Sequence, residues 1–159
     1  FTPDKNLGGY IATQVPEKNF IQNPGYCPIH TQIKKEEVIE LKTKHPDALV
    51  LAHPECEMEI LNLADYIGST SGIIDFATQS GADKFIICTE IGVEYKLQEN
   101  NPNKEFYFTE TKPICHDMKK VTLEKVLQVL KTNENEMHVD KDLEISSKKP
   151  LELMLELAK

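Results

Sequence analysis

The stretch Ala48-Leu49-Val50-Leu51-Ala52-His53-Pro54-Glu55-Cys56 decides how the rest of the chain reads. Its first five residues form an unbroken apolar run, the mark of a strand buried on both faces, since a half-exposed strand alternates with polar residues. The run stops at His53-Pro54, and Glu57 to Asp65 predicts a helix with Met58, Leu61 and Ala64 in line. A buried strand that turns through a polar corner into a helix is the first part of a parallel βαβ unit.

The same alternation continues on both sides. Upstream, Phe20-Ile21 is a short apolar stretch ending at Pro24-Gly25. Glu36 to Lys44 then predicts a helix whose acids precede its lysines, as the macrodipole favours. Downstream, Tyr66 to Gly68 predicts a strand, Gly72 to Gln79 a helix, Lys84 to Cys88 a strand, Gly92 to Glu99 a helix, and Glu105 to Phe108 closes the series. The fold class is α/β, a parallel-sheet α/β/α layered domain with helices on both faces.

Ligands of such sheets bind beyond the carboxyl ends of the strands. The segments in that position are Cys27-Pro28-Ile29-His30, His53-Pro54-Glu55-Cys56, Gly68-Ser69-Thr70-Ser71 and Thr89-Glu90. All four are polar or metal-capable, and each opens onto a helix, so together they describe one site. Beyond Phe108 the pattern becomes purely helical. Leu123, Val126, Leu127 and Leu130 recur at helical spacing behind Thr122, a suitable N-cap. A final helix near Pro150 places Leu151, Met154, Leu155 and Ala158 on one face, with Pro150 in its first turn.

Composition narrows the function classes. The 159 residues carry a formal net charge of -8, and all 18 basic residues are Lys, dispersed among carboxylates. A nucleic-acid surface needs clustered cations, so nucleic acid is not an expected partner. No apolar run approaches the roughly 18 residues that span a bilayer, and no signal-like stretch opens the chain, so the expected location is cytoplasmic with no membrane contact. With no Arg, a small anion must be held by hydroxyls, helix N-termini, His, Lys or a metal. Phe1 is not a residue before which an initiator Met is trimmed, which points to truncation.

Cys27, Cys56, Cys88 and Cys115 lie far apart without an export signal, which disfavours a disulfide framework and leaves metal ligation, catalysis or burial. Cys27-x-x-His30 and His53-x-x-Cys56 have the spacing of structural zinc pairs, although a helix and a buried strand separate them. His53 and Glu55 sit on one loop, as a general base and its orienting partner do, or as a turn residue and a cap. Ser69, Thr70 and Ser71, taken alone, read as a helix cap, a reading compatible with hydroxyls at an anion-binding helix start. Asp4 to Tyr10 has the look of a phosphate loop but lacks the full glycine pattern and a preceding strand. His45, His116 and His138 are expected at the surface.

In order, PDKNLGGY (Pro3 to Tyr10), GYCPIH (Gly25 to His30), AHPEC (Ala52 to Cys56), GSTSG (Gly68 to Gly72), TEIG (Thr89 to Gly92) and the Cys115 to Lys125 segment resemble the quinolinate synthase family, iron–sulfur enzymes of NAD biosynthesis. The resemblance implies condensation of iminoaspartate with dihydroxyacetone phosphate at a 4Fe–4S cluster held by three cysteines, its fourth iron open to substrate. It implies that Cys27 and Cys115 are cluster ligands, that His30, His53 and Glu55 are catalytic, and that Ser69, Thr70, His53 and Glu55 contact substrate. Cys56 and Cys88 match no ligand position. The family has three similar α/β domains. Residues 1–24 are then expected to end the middle one, 25–110 to form the third, and 111–159 to be a C-terminal ligand segment with helices. The first cluster Cys would lie in an N-terminal portion before Phe1, without which activity is not expected. Two other readings remain open: a non-catalytic α/β module that grips an anion at GSTSG, and an interaction domain stabilised by zinc on Cys27, His30, His53 and Cys56.

Overall fold

A computed structural model describes residues 3–158. The chain divides into two compact units at the bond between His116 and Asp117. In the first, helix α1 (Lys5–Gln14) is followed by an irregular stretch, a 3-10 turn at His30–Gln32 and helix α2 (Lys35–Lys44). Strand β1 (Leu49–Ala52), helix α3 (Met58–Leu61), strand β2 (Tyr66–Ile67), helix α4 (Thr70–Gln79) and strand β3 (Lys84–Cys88) come next. Helix α5 (Glu94–Asn100), entered through a 3-10 turn at Ile91–Val93, leads to strand β4 (Glu105–Tyr107).

The four strands form one wholly parallel sheet in the order β2-β1-β3-β4. Leu49 pairs with Phe85 and Ala52 with Cys88, so the two central strands are in register along their length. Alternation along them builds a core on each face. Val50, Ala52, Ile86 and Cys88 pack with Ile33, Val38, Ile60 and Leu61, beneath α2 and α3. Leu51, Phe85 and Ile87 pack with Ile73, Ala77 and Leu97, beneath α4 and α5. The expected α/β/α layering is present.

This strand order positions the site. The chain leaves β1 through α3 on one face and runs to β2, whereas it leaves β3 through α5 on the other face and runs to β4. The connections therefore diverge between β1 and β3, and the space beyond their carboxyl ends is the usual ligand position in an open parallel sheet.

Several expectations change. The helix expected over 57–65 stops at Leu61, because Asp65 is needed elsewhere: its carboxylate accepts from the Val50 amide at 2.8 Å, and its own amide donates to the Val50 carbonyl at 2.8 Å. Asp4 to Tyr10 is no phosphate loop. Asp4 is the N-cap of α1, its carboxylate accepting from the Asn6 and Leu7 amides. Phe20-Ile21 forms no strand.

In the second unit, helix α6 (Leu123–Thr132) begins where expected, with the Thr122 hydroxyl accepting from the Lys125 amide, and ends at Asn133 in the left-handed conformation. Helix α7 (Lys141–Leu157) starts earlier than expected, capped by Asp140, so Pro150 falls inside it and not in its first turn. Neither helix buries a residue. Among the described residues, no helix is long and apolar enough to cross a membrane.

Candidate active site and metal-ligand group

The loop after β1 is a tight turn. The His53 amide donates to the Cys88 carbonyl at 3.0 Å, which extends the β1–β3 ladder one step and fixes where the turn begins. The Cys56 amide donates back to the His53 carbonyl at 2.9 Å, and the Glu55 amide donates to His53 Nδ1 at 3.3 Å. The turn thus folds Glu55 against the imidazole, and a neutral His53 with an accepting Nδ1 carries its proton on Nε2.

His30 arrives from a separate segment. Its ring stacks on His53 with centroids 4.4 Å apart and planes 15° from parallel. His30 Nε2 lies 3.0 Å from the hydroxyl of Thr89, the first residue after β3. Nδ1 on the other side of the ring lies 3.1 Å from Glu55 Oε2, but too far off line to share a hydrogen bond, and it has no other partner. Cys27 stands one turn before His30, with its thiol near the Glu55 carboxylate. The ligand atoms of Cys27, His30 and Glu55 all lie within 4.8 Å of one another.

Burial sets the protonation states. Burial lowers His30 from its usual 6.5 to about 4, and the stacked His53 adds to the effect. Burial also lowers His53. Glu55 moves the opposite way, raised by burial and by the nearby Asp4 carboxylate, with the Cys27 thiol opposing in part. The site therefore favours two neutral imidazoles and a carboxyl that keeps its proton longer than usual.

Three supporting residues carry no role in the sequence reading. Asp4, only 3% exposed, joins the start of α1 to the site: beyond its cap contacts, Oδ2 accepts from the Cys27 amide at 2.6 Å. Asn6 Nδ2 donates to the Glu55 carbonyl at 3.1 Å. An aspartate just before a helical pattern is a recognisable cap, but its second contact spans 23 residues and leaves no local trace. Glu90 was visible as a strand-end residue without a role. One of its oxygens accepts from the Cys115 amide at 3.1 Å and the other from the Gly92 amide at 2.7 Å.

The remaining candidates are placed as follows. Ser69 caps α4, its hydroxyl accepting from the Gly72 amide at 3.1 Å, and Thr70 opens the helix; both are exposed. A Cβ at Gly68 or Gly72 would stand 2.5 or 2.7 Å from the Tyr66 hydroxyl, so the two glycines of GSTSG admit that ring. The set Cys27, His30, His53 and Cys56 is not what the fold gathers. Cys56 is fully buried in the core with its thiol on the Cys88 carbonyl, and Glu55 takes its place beside Cys27 and His30. His116 and His138 are exposed as expected, but His45 is half-buried and stacks on Tyr107 at 3.7 Å.

Residues 1–156 match the family model described as "Quinolinate synthetase A protein". The chain belongs to the quinolinate synthase family. It is 56% identical over 143 residues to the quinolinate synthase of Clostridioides difficile, covering 90% of this chain and 47% of the relative. It is 52% identical over 156 residues to that of Fusobacterium nucleatum, covering 98% of this chain and 52% of the relative. With the quinolinate synthase of Caldicellulosiruptor saccharolyticus the identity is 48% over 158 residues, 99% of this chain and 52% of the relative. The chain thus spans about half the length of the curated quinolinate synthases it matches.

Within this chain the four thiols fall into two kinds. Cys56 and Cys88 have no exposed surface; burial pushes Cys88 up to about 12 and Cys56 higher still, so both stay protonated. Cys27 and Cys115 are half-buried and free, each with its backbone amide held by a carboxylate. Only the second kind has exposed surface through which its sulfur can be reached.

Proposed function

We propose that this chain supplies the C-terminal share of a quinolinate synthase active site, at which iminoaspartate and dihydroxyacetone phosphate condense to quinolinate. In this proposal Cys27 and Cys115 hold a 4Fe–4S cluster with a third cysteine from an N-terminal portion of the enzyme. The observation that carries it is the convergence of His30, His53, Glu55 and Cys27 beyond the carboxyl ends of β1 and β3. The exposure of Cys27 and Cys115, against the burial of the other two thiols, fits the cluster assignment. Such a cluster supplies a Lewis-acidic iron able to polarise a substrate oxygen or nitrogen.

The chain's own residues account for binding and proton movement. Ser69 and Thr70, at the start of a ten-residue helix, hold a carboxylate or phosphate through hydroxyls and free amides. Neutral His53 takes or gives a proton at Nε2, the nitrogen not engaged by the Glu55 amide. Glu55, whose carboxyl is held above its usual range, serves as a proton donor and reservoir beside it. The stacked His30 and the turn at His53 fix both groups, so that little reorientation is needed when substrate arrives.

The test is reconstitution. With iron, sulfide and the N-terminal portion under anaerobic conditions, a brown, oxygen-sensitive species is expected. The chain by itself, with two ligand thiols, should assemble little of it and turn over no substrate. In the restored enzyme, Cys27→Ser or Cys115→Ser should abolish the cluster while Cys56→Ser and Cys88→Ser keep it. A cluster that survives Cys27→Ser would overturn the ligand assignment.

A further inference from the structure

Cys115 closes an irregular stretch that follows β4, and it is the last residue but one of the first compact unit. Chain of this kind has no ladder of its own, so each amide must find a partner elsewhere or go to water. An end left unheld would fray. This one is held from within: Thr109 is 1% exposed, and the Pro113 side chain is fully buried.

The stretch is fastened at three points. The amide and hydroxyl of Thr111 donate to the two carboxylate oxygens of Glu37, in the first turn of α2, at 3.0 and 2.6 Å. The Pro113 carbonyl accepts from the Ile91 amide at 3.0 Å. The Cys115 amide donates to one oxygen of Glu90 at 3.1 Å, and the other oxygen accepts from the Gly92 amide at 2.7 Å. Glu37 and Glu90 lie 74 and 25 residues from these partners, so the folded sheet, not the local sequence, sets where the Cys115 backbone stands. Hydrogen bonds to ionised carboxylates are the stronger kind. Glu90 also directly follows Thr89, whose hydroxyl meets His30 Nε2 at 3.0 Å. Consecutive residues after β3 thus hold the imidazole and the Cys115 backbone in one frame.

We propose that Glu90 is a positioning residue that acts through Cys115, with Glu37 as the second clasp of a preformed strap over residues 109–115. This role rests on the reading of Cys115 as a cluster ligand: the thiol is offered from a backbone already set before any metal group arrives. The two clasps differ in what they tolerate. Glu37 faces one N–H and one hydroxyl, and a hydroxyl can turn to accept, so a Gln can serve in its place. Glu90 faces two N–H groups, so the NH₂ of a Gln must point at one of them. A carboxylate is therefore required at 90 and dispensable at 37.

Residue-resolved amide exchange on the chain itself, without iron or sulfide, tests the strap. The Thr111 and Cys115 amides should be protected in the parent. Glu90→Gln should speed exchange at Cys115 by about tenfold or more and leave the Cys27 amide, which Asp4 holds, at its parental rate. Glu37→Gln should leave both at the parental rate. An unprotected Cys115 amide in the parent, an unchanged one in Glu90→Gln, or rates that rise together at Cys27 and Cys115 overturn the positioning role. If Glu90→Gln fails to fold by circular dichroism, Glu90→Asp, which keeps the charge but is too short to span both amides, takes its place with the same expectation. In the enzyme restored with its N-terminal portion, the Glu90 variant should lose its cluster to a chelator at least about tenfold faster than Glu37→Gln does. Equal chelator rates overturn the role of Glu90 while the need for Cys115 stands. A cluster that survives Cys115→Ser overturns the ligand reading, and the positioning role with it, whatever the exchange rates.

Discussion

The amide of Cys27 donates to the carboxylate of Asp4 at 2.6 Å, across 23 residues of chain. The same carboxylate caps α1 through the Asn6 and Leu7 amides, so one buried side chain fixes both a helix start and the backbone at Cys27. Asp4→Asn can keep one set of contacts but not both, because its NH₂ group faces an N–H. The expected loss is about 1.5–3 kcal/mol, the usual worth of a hydrogen bond to a charged group. It is read as a lower urea midpoint at unchanged slope. An unchanged midpoint would mean that Asp4 is dispensable to the fold.

His53 and Glu55 separate chemistry from assembly. In the enzyme restored with its N-terminal portion, His53→Ala and Glu55→Gln should each lower turnover by roughly 10² or more while iron and sulfide content stay near normal. Parental rates in both variants would reduce the turn at His53 to a structural corner.

The low value for His30 predicts a pH dependence of folding. Its unfolded value is 6.5 and its folded value about 4, so between these limits the unfolded chain binds more protons and stability falls as pH falls. The full effect, on the order of 3 kcal/mol, is in place below about pH 4 and absent above about 6.5. Glu55, raised in the folded state, works against it in the lower part of that window, since its contribution is lost as pH rises. His53 adds to the His30 effect, and the Asp4 and Glu90 carboxylates that face the ring moderate it. The urea midpoint of the protein should fall with acid in the parent chain and fall less in His30→Gln. Parallel profiles would remove His30 as the cause.

At the start of α4 the two hydroxyls should part company. Ser69→Ala removes the cap on the Gly72 amide and should cost about 1 kcal/mol of stability. Thr70→Val should leave the melt nearly unchanged but weaken quinolinate or dicarboxylate binding to the restored enzyme by about 1.5–3 kcal/mol. Calorimetry that finds equal affinity in a folded Thr70→Val variant would remove Thr70 from the anion site.

The layered fold was legible because its signals are local. Lys84 to Cys88 is a strand with the bounds its apolar run suggests, and the segments after β1 and β3 do meet around His30, whose own segment follows no strand. What escaped the sequence depends on distant partners. The early end of α3 follows from Asp65 pairing with Val50, and the anchoring of Cys115 from a carboxylate 25 residues earlier. Helix α1 was hidden by Gly8-Gly9, poor helix formers whose cost is offset by the Asp4 cap and by packing of Tyr10 against the core. The choice between Cys56 and Glu55 as neighbours of Cys27 was invisible because both sit on one turn, and only the fold shows which faces inward.

Pro150 lies ten residues into α7 and has no N–H to give to the carbonyl of Ser146. One rung of the helical ladder is therefore missing, and the opening of one half need not propagate into the other. Deuterium uptake should show this directly. Amides of 145–149 and 154–157 should exchange with separate rates and separate denaturant dependence, as two short cooperative segments. Pro150→Ala should merge them into one slower-exchanging unit.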